Sequence, residues 1–344
     1  MILGLLPVGQ YLSGMTQATN PADTLLIHST MALPEPIREL IADAVRPHVL
    51  HVASRAGATN LTPADADTDA RSAHVLFGQP HPDDILACPS LRLVQISSAG
   101  YTRYDNDDFR TALRARGVPL CTASNVYDDP CAQHALALML SAARQLPHAW
   151  SLQARQTWDT PTLRRKSALL NGLTVLLVGY GAIARRLAEL LAPFNATVIG
   201  VRREVRGDEN VRMIRGDDID RWLPVADHVV NILPANDSTR HYFDAKRLER
   251  LKPGAVFINI GRGDTVDHDA LIRQLNAGRI AAACLDVTSP EPLPPDHPLW
   301  TAPNCFITPH SAGGRQDEQR RLAEHLVENV RRLTSGRPLL NRVI

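Results

Sequence analysis

Cysteine is scarce and scattered. Cys88, Cys121, Cys131, Cys284 and Cys305 include no Cys-x-x-Cys pair, and their number is odd. Four lie in or beside apolar stretches, where a reduced thiol packs as a small hydrophobe. This excludes a disulfide framework, argues against a structural zinc site, and points to a reducing compartment, the cytoplasm. Neither sign of charge is in excess: 37 Lys plus Arg stand against 36 Asp plus Glu, a net charge of +1. A general binder of nucleic acid or of membrane surfaces needs a basic surplus, so neither partner is expected. No apolar run reaches the ~18 residues a membrane helix requires. The start, Met1-Ile-Leu-Gly-Leu-Leu, is apolar but lacks a basic flank and is broken by Pro7 and Gly9. It falls short of a signal peptide, and residues 1–23 read as a poorly ordered lead-in.

What the sequence does have is alternation. Its 344 residues suit two domains rather than one core. Leu25–Ser29, His74–Phe77 and Leu91–Ser97 read as strands, with helical spacing over Ile37–Val45. Cys131–Ala143 is apolar nearly all round, so a helix there needs burial on most faces, by the domain core or by a second subunit. Strands restart at Leu173–Val178 and recur at Thr197–Val201, His228–Leu233, Ala255–Ile260, Ala281–Asp286 and Cys305–Thr308. Such strand–helix alternation predicts parallel sheets with crossover helices. A last helix over Gln319–Leu333 places Leu322, Leu326, Val327, Val330 and Leu333 on one side and stops at Ser335-Gly336.

Between the Leu173 strand and the helix that follows lies Val178-Gly179-Tyr180-Gly181-Ala182-Ile183-Ala184. Gly179 permits a tight turn, Gly181 a close approach of backbone to pyrophosphate, and small Ala184 close helix–strand packing. The free amides that open the helix bind an anion without charged side chains. A site for NAD places a carboxylate at the end of the next strand to hold the ribose 2′-hydroxyl. Here that strand ends in Arg202-Arg203, and the first carboxylate is Glu204. Two guanidiniums suit a 2′-phosphate, so NADPH is the expected cofactor, with NAD still possible should Glu204 reach the ribose.

Three further segments put reactive side chains at the C-terminal ends of strands, the edge where open α/β sheets bind ligands. They are Asn259-Ile-Gly-Arg262-Gly-Asp264-Thr-Val-Asp267, Leu285-Asp286-Val-Thr-Ser-Pro-Glu291-Pro-Leu293 and Ile307-Thr-Pro-His310-Ser-Ala312-Gly313. Taken singly, His310 reads as an interior histidine, Arg262 as an ion-pair partner of Asp264 or Asp267, Glu291 as a loop acid and Asp286 as a turn cap. His134, within the apolar helix, reads as structural.

Jointly, from about Leu91 onward, these segments resemble the D-isomer-specific 2-hydroxyacid dehydrogenase family. Ser97-Ser-Ala99-Gly100-Tyr101, Gln133-His134 and the terminal Gly336-Arg-Pro-Leu-Leu-Asn341 add to the likeness. The resemblance implies two doubly wound parallel-sheet domains of α/β class: a Rossmann cofactor domain, about 126–313, inserted into a flavodoxin-like substrate domain, about 24–125 plus 314–344. It implies dimerisation through the cofactor domain and a small 2-oxo or 2-hydroxy acid as substrate, with glyoxylate or hydroxypyruvate reduction favoured. It makes Arg262, Glu291 and His310 catalytic. The substrate would meet Ala99, Gly100, Arg262 and His310. The cofactor would meet Gly179, Gly181, Ala182, Ile183, Arg202, Arg203, Leu233, Pro234, Ile260, Asp286, His310 and Ala312; no metal is implied.

The chemistry agrees with these residue types. An imidazole, which as a class titrates near neutral pH, can give the proton that a reduced carbonyl oxygen needs. Glu291 can orient that ring and favour its protonated form. Arg262 can bind the substrate carboxylate and stabilise a developing alkoxide. Gln133 replaces the family's usual Glu, and Thr288-Ser289-Pro290 replaces a bulkier or more acidic stretch beside the pocket. A contrasting expectation from the same fold is a catalytically silent, nucleotide-sensing protein of corepressor type, which the intact trio opposes.

Overall fold

The computed structural model of the chain describes residues 24–57, 63–207 and 209–344; the lead-in read at 1–23 lies outside them. The first unit runs β1 (Leu26–Met31), α1 (Glu35–Ala44), β2 (Val49–Gly57), β3 (Val75–Gly78), α2 (Pro82–Ala87), β4 (Leu93–Ile96), α3 (Asp107–Ala115) and β5 (Leu120–Cys121). Its parallel sheet has the order β2-β1-β3-β4-β5, the flavodoxin-like order. β3 and β4 are buried along their whole length, as strands covered by helices on both faces must be.

The chain then enters α4 (Ser124–Ala143), α5 (Leu146–Ala154) and α6 (Thr160–Lys166). The second unit follows: β6 (Thr174–Val178), α7 (Ala182–Leu191), β7 (Thr197–Arg202), β8 (Arg212–Arg215), β9 (His228–Asn231), α8 (Ala245–Glu249), β10 (Val256–Asn259), α9 (His268–Asn276), β11 (Ala282–Leu285) and β12 (Cys305–Ile307). Its seven strands are all parallel, in the order β12-β11-β10-β9-β6-β7-β8. β6 sits between β7 and β9, so chain order reverses there and a crevice opens beyond its tip. α10 (Glu318–Thr334) returns to the first unit. It buries Leu322, Leu326, Val327 and Val330, each worth about 1.5–3 kcal/mol. Asn329 Nδ2 donates to Gln95 Oε1 at 2.6 Å, and Thr122 N–H donates to the Asn341 carbonyl at 3.0 Å. The second unit is therefore inserted into the first.

Four elements differ from the sequence reading. β2, β5 and β8 are additional strands. All three are edges: β5 is only two residues long, and Arg-Met-Ile-Arg in β8 carries the charge that edge strands use against stray pairing rather than an apolar run. The apolar helix begins at Ser124, seven residues early, and passes through Pro130. Proline removes one amide donor but does not end a helix already held by its neighbours. α4 packs against α7 and the strands β10 and β11; Cys131, Ala132, Ala135 and Met139 are buried, while Leu136, Leu138 and Leu140 are only partly covered within the chain. All five cysteines are free, and four are buried.

Several histidines are buried in these cores. Burial pulls His28, His268 and His325 below the ordinary imidazole value, and takes His228 from 6.5 to about 4, Asp227 opposing weakly. His228 Nδ1 has no hydrogen-bond partner among the described residues. A depressed folded value means that the unfolded chain binds more protons below pH 6.5, so stability falls as pH falls. His228 alone removes about 2 kcal/mol between pH 7 and pH 5. Thermal melts at the two pH values should show a clear drop at pH 5. An unchanged midpoint would contradict the burial of these rings.

Candidate active site

Gly179 follows β6 with φ of +97°, a region L-residues avoid, and a Cβ there would lie 2.9 Å from the Ile232 carbonyl carbon. Gly181 is the N-cap of α7 and offers no side-chain cap; a Cβ on it would meet nothing within 4 Å. Ala182 and Ile183 open the helix, and Ala184 is fully buried beneath it. Open space over an uncapped helix start fits a pyrophosphate. The facing tips are fixed by a buried amide pair that sequence reading missed. Asn231 Nδ2 donates to Asn259 Oδ1 at 3.0 Å and to Thr265 Oγ1 at 2.6 Å. The same two side chains accept from Leu233 N–H at 3.2 Å and Gly261 N–H at 3.0 Å. An asparagine closing each of two apolar runs was the available signal.

A cleft of about 630 Å³ opens over this loop. Gly179, Gly181, Ala182 and Ile183 form one wall, Leu233, Pro234, Ile260 and Ala312 another, and Ala99 and Gly100 approach from the first unit. Arg262, Asp286 and His310 reach the same space. Arg202, Arg203 and Glu291 do not line it. Arg202 is the last residue of β7, and its Nη1 donates to Glu209 Oε1 at 3.1 Å. Arg203 and Glu204 are exposed. Glu209 also accepts from the amides of Arg206 at 3.0 Å and Gly207 at 2.7 Å. The carboxylate at this strand tip thus comes from a later loop residue.

Arg262 follows β10 with an extended backbone, and its Nη1 donates to the Gly261 carbonyl at 2.6 Å. It pairs with neither Asp264 nor Asp267: Asp264 accepts from the Ser289 hydroxyl, and Asp267 caps α9. Its guanidinium lies against Gly100, so that a Cβ at Gly100 would collide with it. Burial lowers the Arg262 pKa from its usual value, and the charge of Glu291 opposes this.

His310 adopts φ of +49°, unusual for a non-glycine residue. Asp286 over-determines this geometry. Its carbonyl accepts from His310 N–H at 2.8 Å. Its carboxylate accepts from Thr308 Oγ1 at 2.6 Å, Ser311 N–H at 2.9 Å and Ala312 N–H at 3.0 Å. Both oxygens are thereby committed to the loop that carries His310. His134 lies behind, with Nε2 3.0 Å from Thr308 Oγ1. His310 Nδ1 is 2.8 Å from Glu291 Oε2, and Glu291 Oε1 accepts from Thr288 N–H at 2.9 Å. Burial pushes the Glu291 carboxyl up, but the hydrogen bonds from His310 and Thr288 and the charge of Arg262 outweigh it and hold the group below the ordinary carboxylate value.

A carboxylate-braced imidazole and a guanidinium thus share one cleft with a pyrophosphate cradle. The model of the D-isomer specific 2-hydroxyacid dehydrogenase NAD-binding domain matches residues 136–312. Glyoxylate/hydroxypyruvate reductase B of Citrobacter koseri is 34% identical over 252 residues, 70% of this chain and 74% of that protein. A D-isomer specific 2-hydroxyacid dehydrogenase from Xanthobacter autotrophicus, solved with NADPH and MES, is 28% identical with a TM-score of 0.77, covering 93% of this chain and 98% of the other. An NADPH-dependent glyoxylate/hydroxypyruvate reductase from Sinorhizobium meliloti, solved with NADP and malonate, is 26% identical with a TM-score of 0.72, over 93% and 97%. The chain belongs to the D-isomer-specific 2-hydroxyacid dehydrogenase family. It is an NAD(P)-dependent oxidoreductase acting on a small 2-oxo or 2-hydroxy acid, and these relatives lend nothing to the silent-sensor alternative.

Proposed function

We propose that the protein is an NADPH-preferring reductase of glyoxylate or hydroxypyruvate, working in the direction that yields the 2-hydroxy acid, the D-isomer in the case of hydroxypyruvate. The observation that carries this reading is the convergence in one cleft of Arg262, lying against Gly100, with His310, braced by Glu291. The substrates named for the Citrobacter and Sinorhizobium relatives support the choice of acid.

The Gly179–Ile183 turn would hold the cofactor's pyrophosphate, and Leu233, Pro234, Ile260 and Ala312, which line the same cleft, would hold its nicotinamide half. When bound, the cofactor supplies a hydride for the substrate's carbonyl carbon. The backbone at Ala99–Gly100 and the Arg262 guanidinium receive the substrate carboxylate. Arg262 also faces the carbonyl oxygen and stabilises the charge that grows there. His310 Nε2 gives that oxygen its proton, because Nδ1 is turned toward Glu291. Glu291 holds the ring in this orientation through the nitrogen that does not face the substrate. Asp286 keeps the His310 loop in its unusual backbone conformation.

NADPH preference rests on Arg202 and Arg203; Arg202 is paired with Glu209, and Arg203 is exposed just beyond the strand tip. Purified protein should consume NADPH with glyoxylate or hydroxypyruvate, read as loss of nicotinamide absorbance. No loss with a panel of 2-oxo acids would favour the sensor. The double variant Arg202→Asp, Arg203→Ala should weaken NADPH by tenfold or more, roughly two charge-assisted contacts, and NADH far less. An equal effect on both cofactors would remove the 2′-phosphate role.

The substrate domain comprises 24–125 and 314–344 and the cofactor domain 126–313. Trp158, Leu169 and Trp150 are 93%, 62% and 59% exposed on the segment after α4. Large apolar side chains this exposed favour a homodimer through the cofactor domain. A monomer in sedimentation at micromolar concentration would contradict it. A cytoplasmic location is supported by the free cysteines; no helix among the described residues is long and apolar enough to cross a membrane.

A further inference from the structure

The cleft contains a second carboxylate that the reduction does not use. Glu318, in the first turn of α10, lines the same space as Arg262 and His310. Its Oε1 lies 2.8 Å from the Tyr127 hydroxyl, which is also 2.8 Å from the Ser97 carbonyl oxygen. The one hydroxyl proton serves one of these acceptors at a time. Tyr127 is buried in the first turns of α4, and a Cβ at Gly313 would approach its ring to 3.0 Å. The carboxylate is therefore held between the Ser97–Gly100 loop, α4 and the loop that follows His310. Among the described residues no group donates to Glu318 Oε2, which leaves one acceptor for a ligand.

Cys131 also lines the cleft. Burial, then the charge of Asp286, pushes the Cys131 thiol up to about 12; Arg262 opposes this and Glu318 adds to it. A single buried thiol thus lies within range of both charges. An acid whose carboxylate sits on Arg262 and Gly100 lies in a cleft that Tyr101, Tyr127 and Glu318 also line. A fixed carboxylate there attracts a donor and repels a like charge.

We propose that Glu318, steadied by Tyr127, sets the substrate range of this cleft: it accepts a hydroxyl on the third carbon of a 2-oxo acid and rejects a second carboxylate in that place. This rests on the reductase reading and specifies its substrate class. A bare methyl at the third carbon leaves the acceptor unsatisfied, so pyruvate ranks between the two.

The test is kcat/KM for hydroxypyruvate, pyruvate and oxaloacetate at saturating NADPH. The unaltered protein should favour hydroxypyruvate over oxaloacetate by about 100-fold or more. Glu318→Gln, which keeps size and removes charge, should shrink that ratio by roughly tenfold, mainly through a lower KM for oxaloacetate. A ratio unchanged within about twofold overturns the proposal while the reductase reading stands. Absence of turnover with every 2-oxo acid ends both. Should the variant fold poorly, the unaltered protein in its NADPH complex still decides. D-glycerate should bind tightest and D-malate weakest, and equal binding of the two overturns the assignment.

Discussion

His310→Ala lowers kcat/KM for reduction of the 2-oxo acid by about 10³-fold, as loss of a positioned general acid does. The measurement is steady-state turnover beside direct NADPH binding, and binding should change little. The reason is the geometry around the ring. Asp286 holds the loop through its own backbone carbonyl and through the amides of Ser311 and Ala312. None of these contacts uses the imidazole, so alanine removes the acid and leaves the wall of the cleft in place. Parallel losses in turnover and NADPH affinity would mean that the ring supports the cofactor rather than the proton transfer.

Arg262→Lys has the second large effect, a loss of about 10²-fold or more in kcat/KM, although the charge is kept. One Arg262 nitrogen is spent on the Gly261 carbonyl, and another lies against Gly100. The fork can therefore anchor itself and still present donors to a carboxylate and a carbonyl oxygen together. A lysine ammonium offers a point charge on a flexible stem and cannot divide itself in this way. Both kcat and KM should worsen, because the ground-state carboxylate and the developing alkoxide each lose a partner. Activity near that of the unaltered protein would exclude bidentate recognition.

What the sequence made legible was local. β6, β9, β10 and β11 are short apolar runs followed by turns, and the reactive side chains lie within a few residues of their ends. Arg262, Asp286 and His310 could be placed because strand tips of a parallel sheet share one edge. Pairings over long separations were not legible. Glu318 and Tyr127 are 191 positions apart, and nothing near either residue announces the other. Glu209 lay hidden for a different reason: the strand before it ends in two arginines, and only the folded loop turns the later carboxylate back onto Arg202. The start of α4 was obscured by Pro130, a helix breaker in isolation that the α7 contact overrides. The edge strands β2 and β8 lack the continuous apolar pattern that marks the central strands.

The insertion also fixes an order of events during synthesis. The seven-stranded unit has all its strands once residue 307 has been made, and needs nothing later in the chain to complete its sheet. The five-stranded unit, translated first, depends on later residues. Gln95 waits for Asn329, and Thr122 waits for Asn341. For most of translation the earliest-made sheet is therefore the unfinished one, with a polar glutamine and an apolar face awaiting α10, and this interval is when the nascent chain most needs protection from self-association.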